Sequence, residues 1–238
     1  MAAKIGHPCF ESPPDPSIKI WRYINFTEYV AFLQTQSLYF ARSDRFEDPY
    51  EGATSYANIV LRPIIYKGKN LPETAFKKIS QFAEWIREWT FINCWHMNEH
   101  ESSAMWKLYT HTEEVLTIQS TFEKLQRCLP ASCFLGIVKY IDYEKDWMPE
   151  DNLLWRFVHK RKSFEHEKEV RAVIQEYPTK ELPNNEKEIQ VGLSNNERGR
   201  LVKVECEALV EQIFISPTAS EWFGQLEVNP YPWTDRLK

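Results

Sequence analysis

In the stretch SFEHEKEVRAVI, residues 163–174, charged and apolar side chains alternate. Read as a β-strand, it turns Glu167, Glu169, Arg171 and Val173 to one face and Lys168, Val170, Ala172 and Ile174 to the other. Two carboxylates this close raise one another's proton affinity, which moves one of them toward the range useful for general acid–base work. Glu167 and Glu169 are therefore the candidate catalytic residues, with Arg171 as a substrate-binding partner. The competing reading is an exposed strand face on which Arg171 screens the two glutamates.

Three other places carry chemistry. SDRFEDPYEG, residues 43–52, is an acidic loop directly after an expected strand, and Asp48 and Glu51 are its candidate binding residues. Asp44, Asp48 and Glu51 have the oxygen donors a divalent cation takes, or one of them pairs with an arginine; otherwise the loop is simply solvated. His96 ends an apolar run just before a helix. Trp106 and Tyr109 then stand at helical spacing, either as a core face or as a wall on which a ligand ring stacks. Arg22, beside Tyr23, shares a strand face with Ile18, Ile20 and Ile24, so it needs a carboxylate or ligand partner unless the strand is an edge.

The elements that must hold these residues follow from periodicity and capping. Residues 1–17, with Pro13, Pro14 and Pro16, read as an irregular arm before one domain over 18–238. Ile18–Ile24 is a strand. Asn25-x-x-Glu28 is a capping box for a helix to about Gln36, and Leu38–Arg42 is the next strand. Residues 61–72 read as a connection and Glu73–Trp89 as a helix with Phe76, Ile79, Phe82, Ala83 and Ile86 inward. Phe91–His96 is a buried strand; Asn98-x-x-Glu101 predicts a capped helix with Ser102, Met105, Trp106 and Tyr109 on one face. Val115–Gln119 is a strand, Ser120-x-x-Glu123 a further capping box, and Phe134–Tyr143 one long strand. Ile189–Leu193, Leu201–Cys206 and Gln212–Ile215 are shorter strands, and Ser216-Pro217 opens a last helix. The sum is α+β: a single domain with a mixed, mainly antiparallel sheet of six to nine strands and packed helices.

Composition narrows the function. The 238 residues contain seven glycines and neither GxGxxG nor GxxxxGK[ST], which removes the glycine-rich phosphate loops. A net charge of −5 means that nucleic acid would need a local basic patch, such as Arg156 to Lys162. Five scattered cysteines without a CxxC argue against structural zinc and a disulfide framework and for a reducing cytoplasm. No stretch reads as a signal peptide or a membrane span, so no membrane partner is expected.

Taken together, LYFARSDRFEDPYEG, CWHMNEHESSAMWKLY, SFEHEKEVRAVI and LVEQIFISPTASEWF, after a WRYI-type first strand, resemble a bacterial family known as domain-of-unknown-function family 2971, over roughly residues 18–225. The resemblance implies characteristic positions at Asp48, Pro49, Glu51, Trp106, Tyr109, Glu167, Glu169 and Arg171. Where that family often has a glycine after the helix, this chain has Thr110-His111-Thr112-Glu113-Glu114. The family name implies no activity.

Three functions are compatible with these residues. One is a nucleotide-handling enzyme of ADP-ribosyltransferase-like architecture using NAD, in phage defence or a toxin–antitoxin pair. It would have Arg22 or Tyr23 early, Trp106 and Tyr109 as a wall, and Glu167 or Glu169 late. Another is a metal-dependent nuclease or phosphoesterase using a divalent cation, with a nucleic acid or nucleotide as its partner. The third is a non-enzymatic sensor or interaction module. The site expected is a single cleft joining the Asp48 loop, the Trp106 helix and the Glu169 strand.

Overall fold

The computed structural model describes residues 2–4, 6–69, 72–109, 113–183 and 186–225, without the side chains of Glu73 and Tyr109. In chain order the elements are β1 (Lys19–Asn25), α1 (Phe26–Thr35), β2 (Ser37–Arg42), α2 (Tyr56–Ile65), α3 (Glu73–Arg87), β3 (Thr90–Met97), α4 (Ser103–Tyr109), β4 (Val115–Thr121) and α5 (Phe122–Cys128). There follow β5 (Phe134–Ile137), β6 (Lys139–Ile141), β7 (His159–Arg161), β8 (Glu169–Gln175), β9 (Thr179–Glu181), β10 (Lys187–Ile189), β11 (Gly199–Lys203), α6 (Cys206–Leu209), β12 (Gln212–Ile215) and α7 (Glu221–Gly224).

The main sheet has eight strands and is forked. Its stem is β5, β8 and β3, with β3 paired to β8 from Thr90↔Gln175 to His96↔Glu169. On its other edge β3 meets two strands at opposite ends: β2 at Phe91 and Ile92, and β1 at His96 and Met97. One arm of the fork is β2 with β11; the other is β1 with β4 and β12. Every pairing in this sheet is antiparallel, and the separate β6–β7 pair is parallel. The result is the expected single α+β domain with a mainly antiparallel sheet.

The fork follows from local sequence. Asn25 accepts from the Glu28 amide while Glu28 accepts from the Asn25 amide, so α1 starts directly at the end of β1. Gln36, left-handed at φ 45, ends it one residue before β2. With so short a crossover, β1 and β2 reach the same edge of β3 but splay apart along it. The edge between them is satisfied by side chains: Arg22 donates to the Cys94 carbonyl at 2.9 Å, and Asn93 donates to the Tyr39 carbonyl at 2.8 Å. This answers how an arginine fits among Ile20 and Ile24: its guanidinium reaches sideways to a carbonyl that has no strand neighbour there.

One face of the sheet is apolar. Ile20, Phe40, Phe91, Trp95, Val170 and Ala172 form a continuous core with Phe32 of α1 and Leu125 of α5. The opposite face carries His96, Cys94 and Ile92 of β3 beside Glu169, Arg171 and Val173 of β8. The N-terminal arm docks over part of that face, with Cys9 and Phe10 buried. A Cβ on Gly136 would stand 2.9 Å from the Phe10 Cα, so only glycine fits below the arm.

Several elements differ from the sequence reading. Residues 56–65 are helical because Ser55 caps them, accepting from the Asn58 amide at 3.1 Å; α2 then turns Asn58 and Arg62 inward and Ile59, Val60, Ile64 and Ile65 outward. That is the reverse of the usual amphipathic order. On α3, Ala83 and Ile86 are buried, whereas Ile79 is exposed. The long strand 134–143 divides at Val138, where the chain leaves Glu169 of β8 for Val158. The Asn98 capping box does not form. Asn98 donates to the His100 carbonyl, Glu101 accepts from Trp106, and Ser102 stands at the helix start. Thr121, not Ser120, caps α5, and α7 follows Ser220 rather than Ser216. β10 and β11 end at Ile189 and Lys203, short of Leu193 and Cys206.

Candidate active site

The face that carries Glu169 and Arg171 is built around a buried ion network. Arg171, fully buried, donates Nε to Glu169 at 2.5 Å and both terminal nitrogens to Glu51 at 2.7 and 2.8 Å. The ammonium of Lys160 touches Glu167 at 2.5 Å, Glu169 at 2.7 Å and Glu51 at 3.5 Å. The Tyr140 hydroxyl accepts from the Glu169 amide at 2.8 Å. Glu51 arrives from the acidic loop through a turn at Gly52, whose φ is +71. Asp48, one turn earlier, is paired through both oxygens with Arg161, which lies over the Tyr50 ring.

Glu167 does not belong to the strand. It ends a short 3-10 helix over Lys162–Glu167, and Lys168 is left-handed at φ 41 before β8 begins. From that position the Glu167 carboxyl group shares a hydrogen bond with Glu169. Burial, then this hydrogen bond and the adjacent charge, push Glu167 up to about 7, although Lys160 opposes the shift. Glu169 is buried too, but Arg171 and Lys160 outweigh that and hold it well below the usual carboxylate range. One carboxyl group is thus fixed as an anion while its neighbour carries a proton that can leave near neutral pH.

Above the network, at the fork, lies a cavity of about 450 Å³. Trp21 and Tyr23 of β1, Tyr39 of β2 and Phe46 supply aromatic wall; Arg22, His96, Glu167 and Glu169 supply the polar groups. His96 is 4 % exposed, and its Nδ1 lies 2.6 Å from the Glu167 carbonyl. Burial lowers its pKa, so the ring is neutral and Nδ1 is the donor. Its Nε2 is then a buried acceptor with no hydrogen-bond partner among the described residues. Cys94 is no nucleophile, because burial pushes its thiol up to about 12.

Arg22, Tyr23, His96, Glu167 and Glu169 line this cavity together. Glu51 and Arg171 form its supporting layer below Glu169, and Asp48 stands beyond them in its pair with Arg161. Trp106 is buried edge-on against Tyr23, with ring centroids 5.0 Å apart, and so props a wall residue, while Met105 reaches the cavity. The Tyr109 side chain and residues 110–112 lie outside the described residues. Lys160, the hub of the network, is expected from sequence only in the nuclease reading, where Lys160 to Lys162 would contact phosphates; its ammonium faces Glu51, Glu167 and Glu169 instead. Its trace is the basic run 156–162 followed closely by Glu167 and Glu169. Tyr140 and Phe46 left no such trace.

The acidic residues that suggested a metal each face a cation: Asp44 faces Arg42, Asp48 faces Arg161, Glu51 faces Arg171, and both glutamates face Lys160. The positive charge a divalent ion would bring is already supplied. Among the described residues no group of three or more acidic, histidine or cysteine side chains is arranged to hold a metal, and no helix is long and apolar enough to cross a membrane. No model of a known protein family matches the chain, and neither a curated protein nor a solved structure matches it.

Proposed function

We propose that the cavity at the fork is the active site of a nucleotide-handling enzyme that breaks or transfers a glycosidic bond, on an ADP-ribosyltransferase-like plan. The observation that carries this reading is the unequal pair: Glu167, titrating at about 7, hydrogen-bonded to Glu169, which stays ionised at one end of an aromatic-walled cavity. Cleavage at a ribose–base bond builds positive charge on the sugar, and a carboxylate fixed in advance stabilises that charge. Glu167 then takes the proton of the attacking hydroxyl, or gives one to the leaving group. Arg22 suits a phosphate, and Trp21, Tyr23 or Phe46 suits a stacked base. His96 Nε2 accepts a ligand N–H.

The test is release of nicotinamide from NAD by the purified chain, compared with Glu167→Gln. Glutamine keeps the size and hydrogen bonding but cannot titrate. Loss of a general acid–base lowers the rate by about 10²–10⁴-fold. The wild-type rate should change steepest near the Glu167 value of about 7. No release by the wild type, or equal release by Glu167→Gln, sinks the reading. Growth arrest on expression that Glu167→Gln relieves would point to the defence or toxin setting.

A sensor or interaction module is the second reading, and α2 favours it. Tyr56, Ile59, Val60, Ile64 and Ile65 are each about half exposed or more on that one helix. An exposed apolar stripe of this kind suits a protein partner. It predicts a complex that forms equally well with Glu167→Gln.

A further inference from the structure

A second cavity, of about 210 Å³, opens on the other side of the fork. It lies below α1, where Phe32, Leu38 and Ile118 close its inner end and Ala31, Thr35 and Leu201 stand at its rim. Phe32, Leu38 and Ile118 are buried core residues, whereas Ala31 and Leu201 are exposed, so it is a crevice open to solvent and apolar at depth. Arg22, Ile24, Glu28 and Tyr39 line both this crevice and the main cavity. The two spaces therefore meet at the gap between β1 and β2, where the sheet has no hydrogen-bond ladder to divide them.

Protein interiors close-pack, and voids larger than a water are few. A space of about 150 Å³ lined by leucine, isoleucine and phenylalanine stays dry and accepts a benzene ring. This crevice is of comparable volume but open to solvent at its rim, and it continues into a polar cavity. The gap is also bridged by built contacts: Arg22 and Asn93 satisfy the carbonyls of Cys94 and Tyr39, so these two groups need no closing of β1 onto β2.

We infer that the fork is a two-lobed binding site for an amphipathic ligand, and that the crevice under α1 takes an apolar group of about ring size while the polar end lies in the main cavity. This goes beyond the catalytic reading and does not depend on it.

Methyl NMR of the full chain tests it with three probes. Benzene should shift the methyl signals of Leu38, Ile118 and Leu201. Hexyl phosphate should shift the same signals together with those of Ile92 and Met105 in the main cavity. Inorganic phosphate should leave Leu38 and Ile118 in place. Ala31→Trp fills the rim from an exposed helix position and should abolish the Leu38 and Ile118 shifts; Leu201→Trp on the edge strand serves the same purpose should the first variant misfold. Unmoved Leu38 and Ile118 signals with benzene would overturn the inference, as would persistent shifts in the filled variants. So would hexyl phosphate acting no differently from inorganic phosphate. None of these outcomes depends on nicotinamide release, so failure of the catalytic reading stays distinguishable.

Discussion

Two buried charge networks among the described residues differ in the sign of what is left over. At the candidate site, Glu51, Glu167 and Glu169 face Arg171 and Lys160, so one carboxylate is in surplus. Beneath α2, Arg62 is held by Glu150 and Ser80, and Tyr66 also donates to Glu150. Arg156 lies close enough for its charge to be felt there, and burial together with Arg62 lowers its pKa. Among the buried charges the surplus here is an arginine, with the exposed Glu84 also acting on Arg156. An arginine keeps its proton at any working pH, whereas a surplus carboxylate can take one. The first network can therefore change state and the second cannot. Burial alone does not mark a functional site; a buried carboxyl group that can take one proton is what makes the first network the candidate.

The largest effect should separate the networks by stability. Arg171→Met leaves three carboxylates, Glu51, Glu167 and Glu169, to Lys160, and should cost about 4–5 kcal/mol, at the upper end for a broken buried pair; Arg62→Met leaves Glu150 with the Tyr66 hydroxyl and should cost about 3 kcal/mol. Urea midpoints for the two variants decide it, and a larger loss for Arg62→Met would reverse the ranking of the two centres. A smaller effect lies in pH. Folded Glu167 titrates at about 7 against an ordinary 4.5. The native state thus binds the extra proton between those values. Its contribution to stability is complete below the lower value and is lost as pH rises through the upper one. Glu169 acts in the opposite sense, since its depressed pKa gives stability above the ordinary range that is lost on acidification. Glu167→Gln should remove a slope of up to about 1.4 kcal/mol per pH unit across that window. Unchanged slopes in paired denaturation curves would place the titrating proton elsewhere. The smallest effect belongs to Arg161, 35 % exposed in its pair with Asp48; Arg161→Ala should cost about 1 kcal/mol or less by the same measurement. A cost approaching that of Arg171→Met would extend the network to the acidic loop.

What was legible in sequence was local. Asn25 and Glu28 cap α1 as their spacing indicates, Gln212–Ile215 is a strand with those bounds, and the alternation from Glu169 places Arg171 beside it on one face. What was not legible depends on distant partners. The polar inner face of α2 makes sense only once Glu150 and the Met148 carbonyl are in place to receive Arg62 and Asn58, and without them its periodicity points the wrong way. The fork is a matter of register: β1 and β2 each look like an ordinary strand, and nothing in either says that they share an edge of β3 without sharing hydrogen bonds. Lys160 fell in a run of basic residues whose individual partners lie seven and nine positions further on.

Lys168 gives the site its last property. A regular strand would hold Glu167 and Glu169 on one face at the repeat distance of alternate side chains, the arrangement in which Glu169 and Arg171 meet. Here Glu167 instead ends a 3-10 helix, and the left-handed residue Lys168 stands between it and the strand that carries Glu169. The relative placement of the acids thus runs through a main-chain torsion at a residue that is neither of them. Selection on this chemistry would act on a conformation at position 168 rather than on a side chain. A lineage could exchange lysine there for asparagine or glycine, which take that conformation at lower cost, and keep the pair intact. A β-branched residue takes that conformation at the greatest cost, and the strain would fall on the turn that carries Glu167, although neither glutamate had itself changed.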